Sequence, residues 1–103
     1  IALSLQLNVL FFSSSESYRI YSVNPTTNIV KIFAGTGIYG SSGDGSNALL
    51  ATFSRPFGIC LDKTLNFLFI ADFNAANVRR IDLQTNIIST VATDLNYPSS
   101  VNF

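Results

Sequence analysis

An antiparallel all-β fold built from repeats is predicted by three features of this 103-residue sequence. The first is a self-match. Residues 1–34 align without a gap on residues 59–92, and ten of the 34 positions are identical, among them Leu7-Asn8 with Leu65-Asn66, Leu10-Phe11 with Leu68-Phe69, and Thr27-Asn28-Ile29 with Thr85-Asn86-Ile87. A fixed period marks a repeat architecture. The second is that each copy divides into four short runs rich in β-branched and aromatic residues. The third is that the runs are separated by equivalent turn sequences.

The strands are expected near 1–3, 9–13, 19–23 and 29–34 in the first copy, and near 57–61, 67–71, 77–82 and 87–92 in the second. Phe67-Leu68-Phe69-Ile70-Ala71 is apolar at every position, whereas a strand with one wet face alternates, so this strand is expected to be covered on both faces. Blades of a β-propeller, stacked face to face, impose that condition on an antiparallel sheet. Pro98-Ser99-Ser100-Val101 repeats Pro56-Phe57-Gly58-Ile59. The prediction is therefore a β-propeller fragment: blade 1 over 1–34, a Gly-rich insertion over 35–56, blade 2 over 57–92, and a linker with the first strand of a third blade over 93–103. The rest of the same propeller is needed to close the ring, because propellers close with about 4–8 blades.

The turns Asn24-Pro25-Thr26-Thr27-Asn28 and Asp82-Leu83-Gln84-Thr85-Asn86 occupy equivalent places. Asn tolerates the left-handed conformation that ends such loops, so Asn28 and Asn86 are expected at positive φ. Strand direction places 14–18, 72–76 and the long segment 35–56 at one end of the blades. It places 4–8, 24–28, 62–66 and 82–86 at the other. Elaborated function belongs with the long segment.

Composition narrows the function classes. The chain is 48% hydrophobic and 12% charged with zero net charge, which gives no electrostatic case for nucleic acid or an anionic membrane. No apolar run approaches transmembrane length. Cys60 is the sole cysteine; it can form neither an internal disulfide nor a zinc site by itself, and reads as a small buried residue. There is no histidine, the commonest general base.

These residues resemble NHL repeats, a β-propeller family. Pro56-Phe57-Gly58-Ile59 matches the opening of the family pattern, Phe69-Ile70-Ala71-Asp72 its second strand, and Val78-Arg79-Arg80-Ile81-Asp82 its third. Gly35-Thr36-Gly37 with Gly43-Asp44-Gly45 resembles the family's Gly-Asp-Gly loop. The chain departs from the pattern at Ala76, where the family has Asn, and at Asn77, where it has Arg. Arg19 keeps the Arg position in the first copy while Ser14 replaces the Asp. The resemblance implies a binding scaffold, with an RNA-binding module or a metal-dependent lyase or hydrolase as the alternatives.

Each special chemistry meets an obstacle. Gly35-Thr36-Gly37-Ile38-Tyr39-Gly40 spells a dinucleotide fingerprint, but Ser41-Ser42-Gly43-Asp44-Gly45 prolongs the turn where a helix must begin. The only helix expected, near 46–53, is too short for a crossover. Asp44 and Asn47 supply few ligands for calcium, and Asp44 is expected to cap that helix or close a turn. Tyr18, Arg19, Tyr21, Arg79 and Arg80 could offer stacking and positive charge to single-stranded RNA, although four arginines in a neutral chain make no basic stripe. No catalytic constellation is present, and no cofactor or metal site is assigned. The expectation is a non-catalytic scaffold that binds protein, with Ile38 and Tyr39 as anchors and Asp44, Tyr18 and Arg19 as further contacts.

Overall fold

Among the described residues eight strands form, in two groups of four. The computed structural model describes residues 2–4, 8–62, 64 and 66–93. Strands β1 (Ala2–Ser4), β2 (Val9–Ser14), β3 (Arg19–Asn24) and β4 (Ile29–Ala34) make one antiparallel sheet in sequential order. Strands β5 (Pro56–Leu61), β6 (Phe67–Asp72), β7 (Asn77–Asp82) and β8 (Ile88–Ala92) make the second. The strand predicted at the start of a third blade lies outside the described residues.

The two sheets are copies in detail. The register of the third strand on the fourth slips between Ile20 and Tyr21 in the first sheet and between Val78 and Arg79 in the second, positions that the repeat aligns. The turn chemistry also repeats. Asn24 Oδ1 accepts from the Thr26 and Thr27 N–H groups, and Asp82 Oδ1 accepts from Gln84 N–H. The turns close with Asn28 N–H on the Asn24 carbonyl and Asn86 N–H on the Asp82 carbonyl. Asn28 and Asn86 have φ of 61° and 59°, as expected, and Asn8 has 51°.

Strands β1 and β2 pack on β5. The core between the blades holds Phe11 and Ile20 from the first, and Ile59, Leu68, Ile70, Ile81 and Ile88 from the second, all buried. Each such side chain contributes roughly 1.5–3 kcal/mol of hydrophobic stabilisation. Ser13 Oγ donates across the boundary to the Phe57 carbonyl.

Full cover of β6 on both faces is not found. Leu68, Ile70 and Ala71 are buried, but Phe67 and Phe69 are half-buried, because strand alternation turns them away from blade 1. Cys60 pairs with Phe69 in register on the same outward face and is also half-buried rather than buried. Its residual burial, together with the charge of Asp62, raises the thiol pKa.

The long segment departs from its expected placement at one end. Residues 35–41 begin there, but the chain then runs along the blade to the other end and back. Gly45 N–H bonds the Ile88 carbonyl, Ile88 N–H bonds the Ser46 carbonyl, and Ala48 N–H bonds the Asn86 carbonyl beside the 82–86 turn. The return limb bonds β4's exit, with Gly35 N–H on the Ala48 carbonyl and Thr36 N–H on the Ala51 carbonyl. The physical cause is apolar: Ala48, Ala51 and Phe53 have zero exposure and belong to the inter-blade core. The segment is thus a wedge between β4 and β8. Its one helical turn, Ala48–Leu50, is 3₁₀ and is capped by Asn47, whose Oδ1 accepts from Leu49 N–H. Asp44, expected to cap that helix or close a turn, is not the cap; it sits in the turn that Ser46 N–H closes on the Gly43 carbonyl.

Candidate functional site

The turns linking the second and third strands close on a left-handed residue in both blades: Tyr18 at φ 58° and Ala76 at φ 55°. The positions are repeat partners. An L-residue pays roughly 1–2 kcal/mol for this conformation, which is why Asn suits the position where Ala76 departs from the family pattern. Tyr18 lies in the turn, as expected for the loop 14–18, and β3 starts after it. Its ring meets Tyr39 edge-on, with centroids 5.6 Å apart and planes at 83°. Tyr39 is 57% exposed and its neighbour Ile38 66%. Tyr39 also bridges to Phe53, so this exposed pair is tied to the core by one backbone contact.

Arg19 serves beneath this patch. Its Nη2 donates to the Thr36 carbonyl at 3.0 Å, and the guanidinium lies close against Gly37. A Cβ at Gly37 would sit 2.7 Å from Arg19 Cζ and push the guanidinium aside, and φ there is +87°, a conformation that strains any residue but glycine. Thr36 Oγ1 accepts from Ile38 N–H. Arg19 is a support for the Ile38–Tyr39 tip.

Asp44 is engaged internally. One carboxylate oxygen accepts from Arg79 Nη2 at 2.9 Å and the other from Thr90 Oγ1 at 2.7 Å. Arg79 is 1% exposed and also donates to the Thr52 and Ser42 carbonyls, while its cation lies 5.3 Å from the Phe53 ring centroid. One buried guanidinium therefore grips both limbs of the wedge. Asn77 adds a bond from Nδ2 to Ser41 Oγ.

Beside the tyrosines runs a polar cleft between the blades, lined by Ser15, Glu16, Tyr18, Ser54, Arg55 and Asn74. Asp72 lies buried beneath it and accepts from the Ser54 and Arg55 N–H groups. Burial pushes the Asp72 carboxyl above the usual carboxylate range, opposed by those two N–H bonds and by the charge of Arg79. Ser54 Oγ donates to the Gly40 carbonyl, which joins the cleft floor to the loop carrying Tyr39. The exposed Arg55 guanidinium stands 5.1 Å from the Phe57 ring centroid. Sequence reasoning missed Glu16, Arg55 and Asn74. A signal existed: Glu16 and Asn74 are repeat partners in the same turn, and Arg55 immediately precedes the Pro-x-Gly opening.

The expected aromatic and basic surface does not assemble. Arg79 is buried, Arg80 lies over Phe67 at 4.6 Å, and Tyr21 stacks on Phe12 at 5.3 Å. Tyr21 and Arg80 face outward on opposite sides of the blade pair, as the alternation in β3 and β7 dictates. The dinucleotide reading also fails, because no helix starts within residues 35–40. Among the described residues, no three His, Cys, Asp or Glu side chains gather where they could hold a metal ion.

No family model matches the chain. It is similar to NHL repeat-containing protein 2 from Bos taurus, 33% identical over 82 residues, and to its counterparts from Homo sapiens, 30% over 84, and Gallus gallus, 31% over 81. These alignments cover about 80% of this chain and 11% of each relative, so the chain spans about a ninth of their length. Among solved structures, a Bacteroides thetaiotaomicron structural-genomics protein of unknown function superposes with a TM-score of 0.76 at 22% identity. That superposition covers 90% of this chain and 26% of the other.

Proposed function

The chain belongs to the NHL-repeat family, and from that premise we propose that its repeats act as a non-catalytic protein-binding scaffold. The observation that carries the reading is the tip of the wedge: Ile38 and Tyr39 stand exposed on a backbone that Arg19, Gly37 and Phe53 hold in place. Rigid, exposed aromatic side chains supply binding energy at low entropic cost. Tyr18 extends the surface into the polar cleft, which gives an apolar centre with a polar margin, the usual anatomy of a protein interface.

Point substitutions test this better than removal of the loop, because deleting 36–47 would also remove Asp44 and free Arg79. In the intact protein, Ile38→Ser with Tyr39→Ser should lower partner binding at least about tenfold, as expected when an interface anchor is lost. The thermal midpoint should stay unchanged, since both side chains are exposed. Unchanged binding with an intact fold would place the binding surface elsewhere.

A further inference from the structure

The polar cleft specifies what kind of protein segment this face would take; the inference rests on the binding reading above and deepens it. Arg55 is exposed and, among the described residues, has no ion-pair partner. It is nevertheless pre-arranged. Its backbone N–H is fixed at 2.6 Å on Asp72, and its side chain rests on Phe57, which is itself held edge-on to Phe73 at 5.4 Å. A guanidinium held in this way loses little freedom on meeting a carboxylate, whose geometry it matches with two parallel donors. Ser15, Ser54 and Asn74 line the same cleft and Tyr18 forms its junction with Tyr39, so charge recognition and apolar recognition share one continuous surface. Glu16 on the cleft wall offsets the single positive charge of Arg55, so the lining carries no net charge and the guanidinium acts by its fixed position rather than by an excess of charge. That favours a singly charged carboxylate over a dianionic phosphate.

We infer that this face reads a protein segment in which an acidic side chain lies a few residues from a large apolar one, the acid on Arg55 and the apolar group against Ile38 and Tyr39.

The test is selection from a phage-displayed random peptide library on the immobilised intact protein, repeated with the Arg55→Glu variant. Enriched sequences should combine Asp or Glu with a large apolar residue, and Arg55→Glu should replace the acidic preference with Lys or Arg. A synthetic enriched peptide should bind Arg55→Ala about fivefold more weakly, the scale of a partly exposed ion pair. Added salt should weaken wild-type binding and leave that of Arg55→Ala nearly constant. Thermal melting of each variant checks the fold. No enrichment, an enriched set without acidic residues, or one indifferent to Arg55→Glu overturns the inference. So does a peptide that binds only when phosphoserine replaces the acid. If those same peptides still lose affinity with Tyr39→Ser, the binding face stands and only its charge specificity falls. If Tyr39→Ser has no effect on any enriched peptide, both readings fail.

Discussion

Leu10 and Leu68 are the same residue at the same place in two copies of one repeat, yet Leu68 has zero exposure and Leu10 is only half-buried. The contrast extends across the whole sheet face. Ile70 and Ile88 are fully buried in blade 2. Their partners in blade 1 are Phe12, half-buried, and Val30, 54% exposed. The residues are equally apolar on both sheets; only the cover differs. Blade 2 presents this face to Phe11 and Ile20 of blade 1 and to the wedge residues Ala48, Ala51 and Phe53. Burial here is a property of the neighbour and not of the strand, as the stacking of repeats requires.

Substitutions at paired positions sharpen this comparison. A large effect is expected at Arg79, whose repeat partner is Tyr21. Arg79→Leu leaves the Thr52 and Ser42 carbonyls without their donor, while half-exposed Asp44 keeps Thr90 and meets water; it should cost about 2–4 kcal/mol of unfolding free energy, the scale for two buried acceptors left unsatisfied. Tyr21→Leu, on the uncovered face, should cost under about 1 kcal/mol, as for surface changes generally. Urea denaturation of the 103-residue chain measures both. A similar loss at the two sites would break the distinction.

On the same scale, Leu68→Ala should cost about 2–5 kcal/mol, the range for buried leucines. Leu10→Ala should cost no more than about 1 kcal/mol, because part of the side chain already meets water. Equal losses would mean that the blade 1 face is covered in solution.

Smaller effects fall where the two blades agree. Asn28→Val and Asn86→Val should each cost about 1–2 kcal/mol, since both residues hold a left-handed conformation hostile to a β-branched side chain. Glycine at either site should be neutral or mildly stabilising. Because the strain is local, the two blades should respond alike, and a large difference would show that the turns depend on the cover as well.

The smallest effect is a pH slope. Asp72 has a raised folded-state pKa, so its favourable contribution is complete below the unfolded value of about 3.9. That contribution is lost as pH rises through the higher folded value. The unfolding free energy of wild type relative to Asp72→Asn should therefore be greater in acid than at neutrality. A slope of opposite sign would mean that the two N–H bonds from Ser54 and Arg55 outweigh burial.

Much of the fold was legible because it is local and said twice. Strand positions, the four-strand order and the conformations of Asn28 and Asn86 all follow from periodicity and turn chemistry, which need only a few neighbouring residues. The path of 35–56 was not legible. Nothing periodic in that glycine-rich run reveals that Ala48, Ala51 and Phe53 enter the core or that its bend reaches Asn86. Arg79 was hidden for the same reason: a charged residue in an alternating strand reads as surface until the carbonyls that satisfy it are known. At the site, the exposure of Ile38 and Tyr39 could be read from the loop sequence. The support by Arg19 and the cleft containing Glu16, Arg55 and Asn74 depend on chain crossings between blades, which no local pattern encodes.

The assignment of the binding face is tested most directly by placing a photo-crosslinking residue at position 39 in the intact protein and, separately, at position 84. Gln84 is exposed on the turn at the opposite end of blade 2, so the two probes differ in place and not in access. Crosslinks to a protein partner from position 39, absent from position 84 and lost when Ile38 is changed to Ser, are the predicted result. Crosslinks from position 84 alone would contradict the account.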